Sequence, residues 1–235
     1  MRHFLRMPSR GVILPCVSAQ VRMSEPKVLS VLAAKGGVGK TAMSINIAGW
    51  CQVQHLKSVA VLDADRNRGA SLYVDRGGPL PFPVFPIARY RSALKEAKDL
   101  IIIDGQASPD LAELKELASD SDRVLIPATP QKVSLLLALE VADVMRSIDA
   151  DFRVVLTKCD SRQFNAIESA KELLKEADVP MLVGMTSLLN AFEQAEAAGT
   201  LVSDAKTDSG KSNPRAGEAW QQIGKIASEI TNGLI

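Results

Sequence analysis

Aromatic side chains are scarce in this sequence, at 4% of 235 residues, so a core has to be assembled from the Val, Ile, Leu and Ala that dominate its 46% apolar fraction. Cysteine is scarcer still. Cys16, Cys51 and Cys159 stand far apart, with no CxxC pair and no metal-ligand spacing. That sparse, odd count argues against a disulfide framework and fits a reducing cytosol. No uninterrupted apolar stretch approaches the roughly 18–20 residues that a membrane span requires. An excess of charge of either sign is also missing, since the formal net charge is +1. Even that balance is uneven: Arg2, Arg6, Arg10 and Arg22 lie in the first 22 residues, which carry no acid. Without them 24 basic side chains face 27 acidic ones. Binding to nucleic acid would therefore need a local patch rather than bulk charge.

The length suits one α/β domain better than two. Residues 1–22 read as an extension ahead of a start at Met23, or as a disordered or transit segment. Their apolar run Gly11–Val17 is broken by Pro15 and makes a poor signal peptide. Residues 23–235 read as a single domain. Apolar runs at Lys27–Ala33, Ser58–Leu62, Leu100–Ile103, Arg123–Pro127, Phe152–Thr157 and Met181–Gly184 predict strands. Helical patterns lie at Thr41–Leu56, Ala88–Lys98, Asp110–Ala118, Val133–Ile148, Asn165–Ala177, Ser187–Ala198 and Gly217–Ile230. Gly77–Pro86 reads as a loop with at most a short strand around Val84 and Phe85, and Lys206–Arg215 as a polar loop. Strands alternating with helices, each strand nearly all apolar, predict a doubly wound, mainly parallel sheet covered on both faces. Ligands on such sheets sit at the carboxyl ends of the strands.

The most informative segment is Ala34-Lys35-Gly36-Gly37-Val38-Gly39-Lys40-Thr41, between the first strand and the first helix. Glycines let the backbone wrap phosphates with N–H groups pointing inward, and the helix N-terminus adds its positive end. Lys40 would neutralise β- and γ-phosphates, and Thr41 would offer its hydroxyl to Mg²⁺. Val61-Leu62-Asp63-Ala64-Asp65-Arg66-Asn67 closes the second strand, and Asp99-Leu100-Ile101-Ile102-Ile103-Asp104 forms another strand ending in a carboxylate. Carboxylates beside a triphosphate repel it unless a metal lies between them.

KGGVGKT, with its early second lysine, resembles the deviant Walker A box of the ParA/MinD family. The resemblance spans nearly all of residues 26–235 and implies a P-loop ATPase using ATP and Mg²⁺. It implies that Lys35 reaches across a homodimer to the partner's nucleotide, and that residues 35–42 (Lys35, Gly36, Gly37, Val38, Gly39, Lys40, Thr41 and Ala42) hold the phosphates. Relatives often carry a second Thr where Ala42 stands, so one hydroxyl contact to the α-phosphate is missing. The family's acidic switch implies that Asp65 orients the attacking water, with Asp63 supporting Mg²⁺ or its waters. Arg66 and Asn67 replace the usual Pro and Gln there. Asp104 resembles the Walker B aspartate, so the implied metal set is Thr41, Asp63 and Asp104. Gly105–Ser108 would form a second γ-phosphate sensor.

Thr157-Lys158-Cys159-Asp160 can be read as a guanine box, which makes a GTPase the first rival. The family's own strand places Thr157 and Lys158 beside adenine, and no DxxG follows Asp104. Several branches lack support: the tail carries too few cations for a MinD-like membrane helix, clustered cysteines for arsenite-pump or iron–sulfur relatives are missing, and so is a tyrosine-rich tail. The amidoligases that share the fold lack the early lysine. Small ParA-type partition proteins remain. For them the resemblance implies an ATP-bound dimer on non-specific DNA, a centromere-binding or adaptor protein that stimulates hydrolysis, and a cytoplasmic, nucleoid-associated location. Lys206, Lys211, Arg215 and Lys225 match the basic positions, although the Ile-Pro-Arg turn of relatives is replaced here by Met185-Thr186-Ser187. The competing reading is a metabolic or regulatory P-loop enzyme that does not bind DNA.

Overall fold

The computed structural model describes residues 25–235. The four arginines of the extension, Cys16 and Met23 lie outside them. Six strands form one parallel sheet in the order β3-β2-β4-β1-β5-β6. They are β1 (Lys27–Ala33), β2 (Val59–Asp63), β3 (Val84–Pro86), β4 (Leu100–Ala107), β5 (Arg123–Ala128) and β6 (Phe152–Leu156). The helices are α1 (Lys40–Gln54), α2 (Gly69–Asp75), α3 (Tyr90–Glu96), α4 (Leu111–Ser119), α5 (Lys132–Ser147), α6 (Phe164–Glu176), α7 (Asn190–Ala198) and α8 (Ala216–Thr231).

Successive residues of a strand face opposite sides, and here both sides are covered. Leu100 and Ile102 pack with Leu29, Val31, Val61 and side chains of α1, α2, α7 and α8. Their neighbours Ile101 and Ile103 pack with Val28, Leu62 and Ala93 of α3. Farther along the sheet, Val124, Ile126, Val154 and Leu156 meet α4, α5 and α6. Burial on both faces explains why the strands read as unbroken apolar runs. Each fully buried Ile or Leu is worth about 1.5–3 kcal/mol in transfer free energy. The run of four at 100–103 therefore makes β4 the spine of the sheet.

Three sequence expectations need correction. Residues 181–184 do not form a strand: Met181 makes one isolated bridge to Val154, with Leu182 N donating to Val154 O at 2.9 Å. Gly184 then turns away against α8, where an added Cβ would lie 2.9 Å from Ile226. The helix expected from Ser187 starts at Asn190, because residues 186–188 hydrogen-bond back to the end of β6. And α2, hidden behind the short polar stretch after Asp65, went unpredicted. It is nucleated from outside, by the carboxylate of Asp63. α8 behaves as its apolar spacing implies, burying Ile223, Ile226 and Ile230. Among the described residues, no helix is long and apolar enough to cross a membrane.

Candidate functional site

β1 lies at the centre of the sheet, and the chain leaving it makes the phosphate loop. Gly39 caps α1 with φ of 91° and Gly37 has φ of 75°, a backbone region where side-chain-bearing residues are strained. Their glycines let the loop close directly into the first turn of α1. Gly36 and Gly37 are exposed, whereas Val38 is buried and pins the loop to the fold. Thr157, at the end of β6, donates its hydroxyl to Val38 O at 2.7 Å. Its side chain is buried and braces the loop's backbone from the floor of the neighbouring cleft. No spacing rule could have shown this link between residues 119 positions apart.

Lys40 and Thr41 open α1. Lys40 is buried, and burial pulls its ammonium below the ordinary lysine range against the favourable fields of Asp104 and Asp65. Thr41 donates to Asp104 Oδ2 at 2.7 Å, and Ser44, one turn on, donates to Asp104 Oδ1 at 2.9 Å. Asp104 is fully buried, and burial pushes its carboxyl up to about 7, against the lowering effect of those two hydroxyls. A buried carboxyl held this high is a site that a cation would stabilise.

Gly69 marks the space in front of it. A Cβ at Gly69 would sit 2.8 Å from Thr41 Oγ1, 3.7 Å from Asp104 Oδ2 and 3.9 Å from Asp65 Oδ2. One hydroxyl from the start of α1 and two carboxylates, one from β4 and one from just after β2, thus converge on a small region that only glycine leaves open. Hard oxygen donors of this kind suit Mg²⁺, which keeps several waters and takes one or two carboxylates. The residues present fit the ion.

Asp63 has a structural task that its position did not announce. Although it pairs in register with Asp104, its Oδ2 accepts from Ser71 N at 2.7 Å and Ser71 Oγ at 2.6 Å, and its Oδ1 from Asp65 N at 3.1 Å. The carboxylate helps to build α2, because a strand-end acid followed by a turn is nearest to the free N–H groups of the next helix. Asp65, partly exposed, keeps Oδ2 toward the open region while Oδ1 accepts from Asn67 N at 2.8 Å.

The expected second sensor is also redirected. β4 runs on to Ala107, Gln106 donates to Glu113, and Arg66 pairs with the same carboxylate. Ser108 donates to Ala34 O at 2.9 Å, so it contacts the phosphate loop through backbone only. Glu113 thereby ties the loop after β2 to the end of β4. Its capping box with Asp110 was legible as Asp110-x-x-Glu113.

Beside the phosphate loop a second cleft is lined by Ala42, Lys158, Thr186, Ser187, Leu188 and Phe192, among others. Lys158 is exposed there with φ of 53°. Asp160 is not part of that lining. Both of its oxygens are taken by Arg162, with Nε at 2.9 Å and Nη2 at 2.7 Å, and Oδ1 also accepts from Arg162 N. In this arrangement the carboxylate faces Arg162 rather than the cleft, which does not favour the guanine-box reading.

Lys35 is half-buried at the mouth of the loop. The basic residues assigned to DNA are all exposed. Lys206 and Lys211 share a tight turn, bridged by Lys206 and Ser212, and Arg215 caps α8. Arg215 is committed to Glu218, with Nε at 2.5 Å and Nη2 at 2.7 Å. From Asp204 to Glu218 three acids offset three bases. The patch is therefore weaker than its cations suggest.

No family model matches the chain. A relative from Gloeobacter kilaueensis named maintenance of carboxysome distribution protein A is 29% identical over 184 residues, 75% of this chain and 83% of the relative. Among solved structures, the cell division protein MinD of Aquifex aeolicus superposes with a TM-score of 0.66 at 17% identity, over 88% of this chain and 97% of the other. An ATP complex of McdA from Cyanothece gives 0.64 at 13% identity, over 90% and 97%.

Proposed function

We propose that the chain is a ParA/MinD-type deviant Walker A P-loop ATPase, and within that family a positioning ATPase that pairs around ATP and Mg²⁺ and moves or spaces a cargo. The observation that carries the reading is the convergence of Thr41, Asp104 and Asp65 on the space beside Gly69, next to Lys40 and the phosphate loop. The backbone of residues 36–41 holds the triphosphate, and Lys40 offsets its charge. Thr41 and Asp104 hold Mg²⁺, which neutralises the phosphates when bound. Asp65 orients the attacking water through its free oxygen. Lys35 serves the partner's nucleotide in trans.

A surface for the second copy follows from topology. In a parallel sheet every strand's carboxyl end lies on one edge, where the next helix begins. Leu111, Val133 and Phe164 sit in the first turns of α4, α5 and α6, with Leu136 one turn on from Lys132, and the four are 57%, 61%, 64% and 45% exposed. Apolar side chains left out on the nucleotide edge are what an ATP-dependent dimer would cover.

Non-specific DNA is the proposed track, contacted mainly by Lys206, Lys211 and Lys225, since Arg215 is occupied. Cargo classes open to this reading are a plasmid, a chromosome or, given the relative's name, a carboxysome-like compartment, with an adaptor protein stimulating hydrolysis. The balanced charge around residues 204–218 favours the second reading, a metabolic or regulatory enzyme without DNA. Light scattering after gel filtration, followed by retention on random-sequence duplex, separates the two. With ATP and Mg²⁺ the protein is expected to dimerise and bind DNA with an affinity that falls steeply with salt. Lys35→Ala is expected to bind ATP yet stay monomeric and unretained. A wild-type dimer that hydrolyses ATP but ignores DNA would establish the second reading.

A further inference from the structure

The cleft beside the phosphate loop is held from behind by α8. Residues 183–189 carry Thr186 and Ser187 to it, and α8 grips them at two places. Glu229 accepts from Val183 N at 2.7 Å and Gly184 N at 3.1 Å. About two turns earlier on α8, Gln222 Oε1 accepts from Ser187 N at 2.8 Å. That bond orients the amide, because a backbone N–H can only donate. Gln222 Nε2 must then face Ser187 Oγ, at 2.9 Å, and donate to it. The serine oxygen accepts one hydrogen bond and its own hydrogen is left for another acceptor. The second N–H of the same amide points to Glu218 Oε1 at 3.4 Å, and Glu218 is clamped by Arg215.

We infer that Gln222 is a positioning residue for nucleotide binding: it presents the Ser187 hydroxyl as a hydrogen-bond donor to a ring acceptor of the purine, with Arg215 and Glu218 bracing it. The unprotonated ring nitrogens of a purine are acceptors, so a hydroxyl already accepting from Gln222 matches them. Arg215 then works inward, through the protein, rather than outward on phosphates. The inference rests on the nucleotide reading above, and its test separates the two. Affinities are measured by titration calorimetry for ATP and for inorganic tripolyphosphate, which lacks a base, in the presence of Mg²⁺.

Gln222→Ala and Ser187→Ala are each expected to weaken ATP about five-fold, the equivalent of one lost hydrogen bond. The double variant is expected to be no weaker than either, because both remove the same contact. Tripolyphosphate affinity is expected to stay within about two-fold throughout. Gln222→Glu keeps an acceptor for Ser187 N but cannot donate to its hydroxyl. It should therefore lose the same ATP affinity while melting with the wild type, which isolates the hydroxyl's orientation from the loop's anchoring. Equal loss for ATP and tripolyphosphate, or unchanged ATP binding by Gln222→Ala, overturns the inference. A wild-type protein that binds neither probe overturns the nucleotide reading itself.

Discussion

The two ends of the nucleotide cleft are built by different means. At the phosphate end the groups that matter come from short contiguous stretches: residues 35–44, the tip of β2 and the tip of β4. Thr41 and Ser44 reach Asp104 because adjacent parallel strands end side by side and one helix starts above them. At the base end the lining comes from Ala42, Lys158, residues 186–188 and α7, and is held by α8 from 35 residues farther along the chain. Triphosphates present the same charge to every protein, so a local motif can meet them. A base presents a flat, weakly polar ring, and a pocket for it has to be assembled by packing.

If this contrast is right, damage at the phosphate end should be severe and damage at the base end graded. Lys40→Ala should produce the largest effect, a loss of about 100-fold or more in ATP affinity, because it removes a buried charge facing the anion. Tripolyphosphate should lose as much as ATP, in contrast to the base-end variants. Competition against a fluorescent nucleotide analogue measures both, and near-normal binding of either would sink the phosphate-loop assignment.

Asp104→Asn probes the electrostatics of the same end, with an intermediate effect. The folded carboxyl titrates at about 7, above its ordinary range near 4, so the fold favours its neutral form. Its contribution to stability is then full at pH below about 4, declines as pH rises toward 7 and is flat above that. Without nucleotide, Asp104→Asn should lack this slope. It should melt a few degrees above the wild type at pH 8 and close to it at pH 5. It should also lose the further stabilisation that ATP with Mg²⁺ gives the wild type. Scanning fluorimetry across pH, with and without the ligand, reads both. A wild-type melting curve that rises from pH 5 to 8 relative to the variant would contradict the burial argument.

Asp160→Ala should have the smallest effect. Its carboxylate is already occupied by Arg162 and lies outside the cleft lining. The ratio of ATP to GTP affinity should change by less than about two-fold, the scale of an exposed ion pair. A collapse of GTP binding alone would restore the guanine-box reading of Thr157–Asp160.

Legibility followed the range of the interactions. The parallel sheet could be read because burial on both faces forces unbroken apolar runs, as at Leu100–Ile103. The phosphate loop could be read because Gly37, Gly39, Lys40 and Thr41 act through local backbone geometry. The bonds from Asp63 to α2 were not legible because a carboxylate at a strand end looks the same whether or not it also meets the N–H groups of a following helix. Only the position of Ser71 decides. Thr157 lines the cleft to which it was assigned, and its added bond to Val38 could not be read because it spans half the chain. Gly69 and Gln222 carried no signal at all: one matters for the side chain it lacks, the other for a contact between α8 and the loop at Ser187.

By itself, then, the sequence determined the sheet, the phosphate loop and the acidic strand ends, because periodicity, glycine spacing and helix starts are set within about ten residues. The tertiary structure decided which carboxylates lie beside Gly69 and which bonds to α2, which hydroxyl holds the loop, whether Arg215 turns toward solvent or toward Glu218, and what lines the cleft beside the phosphate loop. Each of those choices depends on hydrogen-bond partners brought together from distant positions, and a polar side chain's role is settled by the partner it finds rather than by its type.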